Sequence, residues 1–397
     1  DPINHREPDY RLKPVPDQPG MLDVEYIVDE GRVVDFQVAG GVDSNSGAFG
    51  LISLSMRNFD IADWPDSFWG MFGEIYRKEA FHGAGQQLDV QVSPGSEINF
   101  WRVRFQEPDI FRSHFKQVSL DLEAGQRERL FRPYDEERTT AKVRFGYEPI
   151  PDFRMFFGYL DSRVEVDDLD DPPFPQQLFD QQGEADLNAL SLDFSYRQLD
   201  SAINPRKGVT VNFNNAWYAD SFGSDFEFVK SSVAGDLYWP VGDPLADVRP
   251  SFHFSGGLGV ASPQGDSDFV PYTERFFLGG FRTLRGFGFR GVGPNVGRTP
   301  IGGETYFNAS LEYRIPVYTI AQPGTYKQVE MFRLIPFVDI GNLGQEDFQL
   351  DETETRVSAG IGFGLANPFP LTLNFGFPLR EGDGDDRQVV SFNLAFR

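Results

Sequence analysis

Phe307-Asn308-Ala309-Ser310-Leu311-Glu312-Tyr313 puts Phe307, Ala309, Leu311 and Tyr313 at one parity and Asn308, Ser310 and Glu312 at the other. Successive side chains of an extended chain point to opposite faces, so this stretch is a strand with one greasy and one wet face. The pattern repeats on both sides, in Phe36/Val38, Phe194/Tyr196, Val209/Val211/Phe213, Ile361/Phe363/Leu365, Leu371/Leu373/Phe375/Phe377 and Val390/Phe392/Leu394/Phe396. From Arg32 to Arg397 it predicts sixteen strands, near 33–42, 48–57, 84–93, 97–106, 114–123, 138–148, 153–165, 187–197, 207–217, 226–239, 248–261, 302–315, 331–341, 354–366, 370–379 and 388–397. An even number lets an antiparallel sheet close on itself with both ends on one side.

The connections sort into two sets. Most turns after even strands are short and Pro-marked (Glu107-Pro108, Pro149-Ile150-Pro151, Trp239-Pro240, Asn367-Pro368). Long acidic loops follow odd strands: Glu165 to Asp171, Gln345 to Glu354, Glu381 to Asp386 and the largest, 262–301. Short turns at one end and long loops at the other characterise outer-membrane barrels. A soluble pair of β-sandwiches shares the alternation, but it has little use for aromatics at strand ends. Tyr26, Tyr147, Tyr159, Tyr196, Trp217, Tyr218, Tyr238, Trp239 and Tyr313 lie near such ends, where interfacial girdles belong. The reading is all-β: a sixteen-stranded antiparallel transmembrane barrel over 32–397.

Composition narrows the function. Among 397 residues, 60 Asp and Glu against 36 Lys and Arg leave a formal charge of -24, which opposes nucleic acid. The absence of Cys removes disulfide scaffolds and thiol nucleophiles. No apolar run is long enough for a membrane helix. The four His (His5, His82, His114, His253) lack ligand spacing, so no metal, cofactor or catalytic group is expected. Gly286-Phe287-Gly288-Phe289-Arg290-Gly291 has the G-x-G-x-x-G form, but Pro294, Gly297, Pro300 and Gly302 forbid the helix that a dinucleotide site requires. The acidic run at 167–171 reads as a solvated loop.

Two segments stand apart. Residues 1–31 read as a Pro-rich, charged linker followed by a strand at Met21–Val28, and the start at Asp1 without Met or signal segment suggests a mature or truncated chain. Between strands two and three, Trp64, Phe68, Trp69, Phe72, Ile75 and Tyr76 recur at helical spacing within 63–80, a candidate amphipathic helix for the membrane interface; a long loop packed under the barrel is the competing reading.

Parity alone sends Glu312 and Asp339 into the lumen from adjacent strands, and an Arg carried inward on the 262–301 loop would meet both. That loop holds Gly279-Gly280-Phe281-Arg282-Thr283-Leu284-Arg285-Gly286-Phe287. Its Gly-Gly and Leu-Arg-Gly-Phe resemble the motif of the BamA-type outer-membrane assembly factors, a bacterial surface antigen family with POTRA repeats ahead of the barrel. Asp200 through Pro205 to Gly208, Ser310-Leu311-Glu312 and Phe337-Val338-Asp339-Ile340-Gly341 agree in order, and the resemblance covers about 22–397.

The resemblance implies that Leu284, Arg285, Gly286 and Phe287 form a loop motif inside the lumen, with Arg285 paired to Glu312 and Asp339. It also implies a lateral gate between the first strand (Val34, Phe36, Val38, Gly40, Gly41) and the last (Val390, Phe392, Leu394, Phe396); glycines and a short closing strand make this seam the weakest in the wall. Client strands would add to the exposed edge of the first strand. The implied function is an insertase of the bacterial outer membrane, with chain ends periplasmic. Its implied partners are unfolded outer-membrane proteins, membrane lipids and accessory lipoproteins bound through upstream POTRA repeats, of which Met21–Val28 would be the final strand. A TamA-like or two-partner translocation pore is the alternative, and a general porin a more distant one. One departure is the ending Phe396-Arg397, where such barrels commonly finish on an aromatic.

Overall fold

The computed structural model describes residues 9–14, 21–27, 31–112, 118–131, 134–169, 181–243, 245–296, 299–322, 324, 327–351, 354–365 and 371–396. His5, Val28, His114, Asp170, Asp171, Gly297, Asn367, Pro368 and Arg397 lie outside them.

Sixteen antiparallel staves close into a barrel in sequence order. They are β1 (Val34–Asp43), β2 (Gly47–Phe59), β3 (Gln86–Ser93), β4 (Ile98–Glu107), β5 (Val118–Leu130), β6 (Asp135–Ile150), β7 (Phe153–Asp167), β8 (Ala189–Leu199), β9 (Gly208–Tyr218), β10 (Phe228–Pro240), β11 (Ser251–Pro263), β12 (Thr305–Ala321), β13 (Gln328–Gly344), β14 (Arg356–Leu365), β15 (Leu371–Arg380) and β16 (Val390–Phe396). Gly183–Asp186 continues the β8 stave along β7. Closure gives the backbone of each stave partners on both sides, as a bilayer core demands. Val211, Leu237, Trp239, Leu311 and Phe377 point outward and stay exposed. Lys230, Asp236, His253 and Glu312, at the opposite parity, meet ionic partners inside.

Three expectations change. Tyr218 and Tyr238 do not belong to an outer girdle: Tyr218 is buried against Phe228 and Tyr238 stacks on His253. Each sits one residue out of phase with an exposed Trp (Trp217, Trp239), and period two sends it inward. Next, β12 and β13 run 17 residues each, past the expected limits of 302–315 and 331–341. The register shifts between Pro316 and Thr319, and a bulge absorbs the residue that cannot donate to the ladder, letting β12 continue to Ala321. Finally, Asp9–Pro14 is not linker; it pairs antiparallel with Leu22–Ile27 to form a hairpin ahead of the barrel.

The helix between β2 and β3 is shorter than the expected 63–80. Only Met71–Tyr76 is helical (α1). Pro65 lies upstream, and Gly70 and Gly73 lower helix propensity at its start, so one and a half turns form. The connection at 60–85 is the long exception among the turns after even strands, so it sits at the rim where β1 begins and β16 ends.

The loop between β11 and β12, residues 264–304, folds into the barrel and supplies much of its core. Leu278, Leu284, Phe287 and Val292 of the loop pack with Leu343 of β13, all fully buried. Val270 and Tyr272 join a second cluster with Tyr134, Val164, Val166, Leu187, Tyr218 and Phe228. Each large apolar side chain withdrawn from water contributes about 1.5–3 kcal/mol. Gly279, Gly280 and Gly286 adopt φ of 112°, 89° and 93°, which a side chain resists, so the loop reverses within the lumen.

Candidate functional site: the lumen loop and the barrel seam

Arg285 reaches the wall opposite β12 and β13. Its Nε and Nη2 donate to the two oxygens of Asp339 at 2.8 and 2.6 Å, Nη1 donates to Glu312 Oε1 at 2.7 Å, and Nη2 donates to Ser310 Oγ at 2.8 Å. The Arg285 backbone N–H also donates to Asp339, and the Ser310 hydroxyl donates to Asp339 Oδ1 at 2.6 Å. The guanidinium lies 3.6 Å from the Phe337 ring centroid. A planar fork holds two carboxylates and one ring face together; a point charge would not. Asp339 is 1% exposed and Arg285 6%, so neither has water to fall back on.

The other oxygen of Glu312 is taken by groups that sequence reasoning missed. Arg314 Nε donates to Oε2 at 3.0 Å, and His253 Nδ1 stands 3.0 Å from the same oxygen, with its Nε2 2.9 Å from Asp236. The β11–β12 register sets His253 directly across from Glu312. Counting His253 by parity with Asp236 and Glu312, instead of by ligand spacing, would have found it.

A second lock, also missed, holds the loop nearer its start. Glu274 Oε1 accepts from Arg138 Nη1 at 2.5 Å and Oε2 from Lys230 Nζ at 2.9 Å. Burial alone would raise this carboxyl, but Lys230 and Arg138 prevail and hold it at about 2. A carboxyl held below its unfolded value of about 4.3 stabilises the folded state at pH above that value and loses this contribution as pH falls through the folded pKa. The loop is therefore expected to stay locked from neutral pH to about pH 4 and to loosen toward pH 2. Near-ultraviolet circular dichroism from Tyr134 and Tyr272 checks this: the signal should fade between those values in the parent and already be weak at pH 7 in Glu274→Ala. An unchanged signal at pH 2 would show that the pair does not hold the loop.

The motif also reaches the closing strand. Gly286 and Phe287 pair with Gln388 and Arg387, just before β16. A Cβ at Gly376 would lie 2.6 Å from the Gly286 nitrogen, so glycine there admits the loop backbone against β15. The Asp200–Gly208 landmark forms the β8–β9 turn, where Asp200 accepts from the Arg206 and Lys207 backbones, and Arg206 donates to Glu330 of β13 at 2.7 Å.

The seam is short. β16 meets β1 through four residue pairs: Asn393 with Asp43, Leu394 with Val42, Ala395 with Gly41 and Phe396 with Gly40. Among the described residues, Val34 to Ala39 have no strand partner on that side. Val34, Phe36 and Val38 thus form an open edge, with Phe36 and Val38 exposed, while Gly40 and Gly41 are in the closed part. On β16, Leu394 and Phe396 pair with β1, whereas Val390 and Phe392 pair with β15. By contrast β12 and β13 share fourteen pairs. A Cβ at Gly41 would fall 2.4 Å from the Leu394 carbonyl oxygen and 2.7 Å from the Phe49 ring, with backbone that cannot yield. Gly41→Val is expected to part β1 from β16, measured as lost disulfide yield between cysteines at 42 and 394; full yield would show that the seam tolerates a side chain.

Below the Arg285 cluster a cavity of about 770 Å³ opens between the β8–β9 turn and the last strands, lined by Arg206, Arg314, Glu330, Arg333, Asn374 and Asn393 among others.

The Omp85 superfamily domain matches residues 81–397. The chain belongs to the Omp85 superfamily. It is 26% identical over 334 residues to the outer membrane protein assembly factor BamA of Nitratidesulfovibrio vulgaris, a match covering 82% of this chain and 39% of that protein. A SAM50-like protein of Drosophila melanogaster is 26% identical over 317 residues, 76% of this chain and 67% of the relative. The chain thus spans about two-fifths of the bacterial relative's length. Among solved structures, BamA from Haemophilus ducreyi lacking POTRA domains 1–3 superposes with a TM-score of 0.76 at 18% identity, over 98% of this chain and 75% of that one. CdiB from Escherichia coli gives 0.58 at 13% identity, over 100% and 68%. At these identities the structural likeness speaks for the fold: this Omp85 member is a sixteen-stranded transmembrane β-barrel with a long loop in its lumen.

Proposed function

We propose that this Omp85 barrel is an outer-membrane assembly factor that inserts other β-barrel proteins through a lateral gate between β1 and β16. One observation carries the reading: the seam closes over four residue pairs and leaves the Val34–Ala39 edge without a strand partner among the described residues. An unpaired edge is a template for an incoming strand, whose backbone would complete the ladder. The relatives' names, assembly factor BamA and SAM50-like, agree with it. On this reading Arg285 and the Leu284–Phe287 motif keep the loop docked beside the lead-in to β16, so that the gate opens from a defined closed state. The seven-residue β16 also makes the wall low at the seam, thinning or disordering adjacent lipid.

Clients would be unfolded outer-membrane proteins, with lipids of the outer membrane as the second partner. Accessory lipoproteins would bind through periplasmic POTRA repeats preceding the barrel. The test is the folding rate of an unfolded outer-membrane barrel into liposomes with and without this protein. Acceleration is expected; ion conductance without acceleration would replace the insertase with a translocation pore.

A further inference from the structure

The 60–85 connection lies on the lipid side of the barrel. At the β2 end, the register shifts between Arg57 and Phe59, and Asn58 takes φ 57°. The bulge turns Phe59 outward, beside Phe105 of β4, with ring centroids 6.4 Å apart. Phe81 stacks on Phe59 at 5.4 Å, and Trp64 meets Phe81 edge-on at 5.4 Å. Although Phe59 faces away from the lumen it is only 6% exposed, and Ala80 only 1%. The connection is therefore rooted by an aromatic stack against the outer face of β2–β4.

Beyond that root the aromatics have nothing against them. Trp64, Phe68, Trp69, Phe72 and Tyr76 are 72%, 74%, 92%, 77% and 89% exposed. Phe72 and Tyr76 are four residues apart on α1 and share a face. The polar side chains bind locally: Glu74 accepts from the Asp66 backbone at 2.8 Å, and Arg77 pairs with Glu79 at 2.7 Å. Five large rings within 13 residues make an apolar patch that water penalises. The patch continues the barrel's own lipid-facing surface, in which Phe36, Val38, Ile52, Val92 and Trp101 of the neighbouring strands are exposed. Aromatic rings with a polar edge favour the boundary between headgroups and acyl chains.

We infer that residues 60–85 are a membrane-interface anchor: Trp64, Phe68, Trp69, Phe72 and Tyr76 seat in the headgroup–acyl boundary of the leaflet at the rim that carries the chain ends. Strands stand about 4.8 Å apart, so the anchor lies within about 10 Å of β1 and its open edge. It fixes the depth of the seam side of the barrel in the bilayer, and it does so whether or not the barrel inserts clients.

The experiment uses the full chain with Trp101, Trp217 and Trp239 replaced by Phe, leaving Trp64 and Trp69 as reporters in phosphatidylcholine vesicles. The expected result is blue-shifted emission, loss of intensity with lipids brominated near the headgroup end of the acyl chain, less loss with bromine at mid-chain, and protection from aqueous iodide. Trp64→Phe in the same background isolates Trp69, the ring farthest from the root, and should behave alike. Water-like emission with full iodide access and no quenching by brominated lipid would overturn the anchor and leave the patch as a surface for a protein. Protection from both quenchers would overturn it too, placing the rings against the barrel.

Discussion

Joining β1 to β16 with a disulfide between Val42→Cys and Leu394→Cys is expected to abolish client folding into liposomes, and reduction is expected to restore it. Val42 and Leu394 are directly paired. Opposed residues of an antiparallel pair have Cβ atoms about 4.5–5.5 Å apart, close to what a disulfide needs. Gln37 and Asn393, a pair at matching parity, would not serve, because Asn393 pairs with Asp43 and Gln37 lies on the open edge. Asp43 itself should be left intact, since it accepts from the Asn45 and Ser46 backbones and shapes the β1–β2 turn. The chain has no native Cys to compete. Four pairs of ladder hydrogen bonds cost only about 0.5–1.5 kcal/mol net each to exchange for a client's, whereas a covalent bond does not open thermally. Insertion by the locked, oxidised protein at the parent rate would remove the seam from the mechanism.

Replacing Arg285 with Ala is expected to have the largest effect on the barrel itself. Glu312 keeps Arg314 and His253. Asp339 keeps only the Ser310 hydroxyl and the residue-285 backbone, and a buried carboxylate stripped of its counter-charge costs about 3–5 kcal/mol. Arg285→Lys should recover only part of this, because an ammonium cannot span both Asp339 oxygens and Glu312. The loop should then leave the wall, taking with it the Gly286–Phe287 ladder to Arg387–Gln388. Two measurements check this: the temperature at which the barrel loses its compact gel mobility should drop, and protease should cut within 264–304. Cleavage and melting equal to the parent would reduce Arg285 to a bystander.

The strand pattern, the stave count and the parity of Glu312 and Asp339 were legible because period two is a local property, written in each segment without reference to its neighbours. The Arg285 pairing was legible for a related reason: two inward carboxylates on adjacent strands need a counter-charge, and the longest loop carries an Arg between glycines. Tyr218 and Tyr238 were misread because one residue of phase separates lipid from lumen, and a strand end marks neither. The helix of 63–80 was over-read because spacing counts rings without weighing Pro65, Gly70 and Gly73. His253, Arg138, Lys230 and Glu274 were invisible as a set, since their partners lie on strands far apart in sequence.

The sequence by itself determined that this chain is a closed antiparallel barrel with a loop bound inside it, because alternation, turn chemistry and charge parity each act over a few residues. Only the tertiary structure decided that the seam closes over four pairs, that the motif meets the lead-in to β16, and that the 60–85 connection stands on the outer face. Those depend on register and on a bulge, where a shift of one residue changes which atoms meet across the wall.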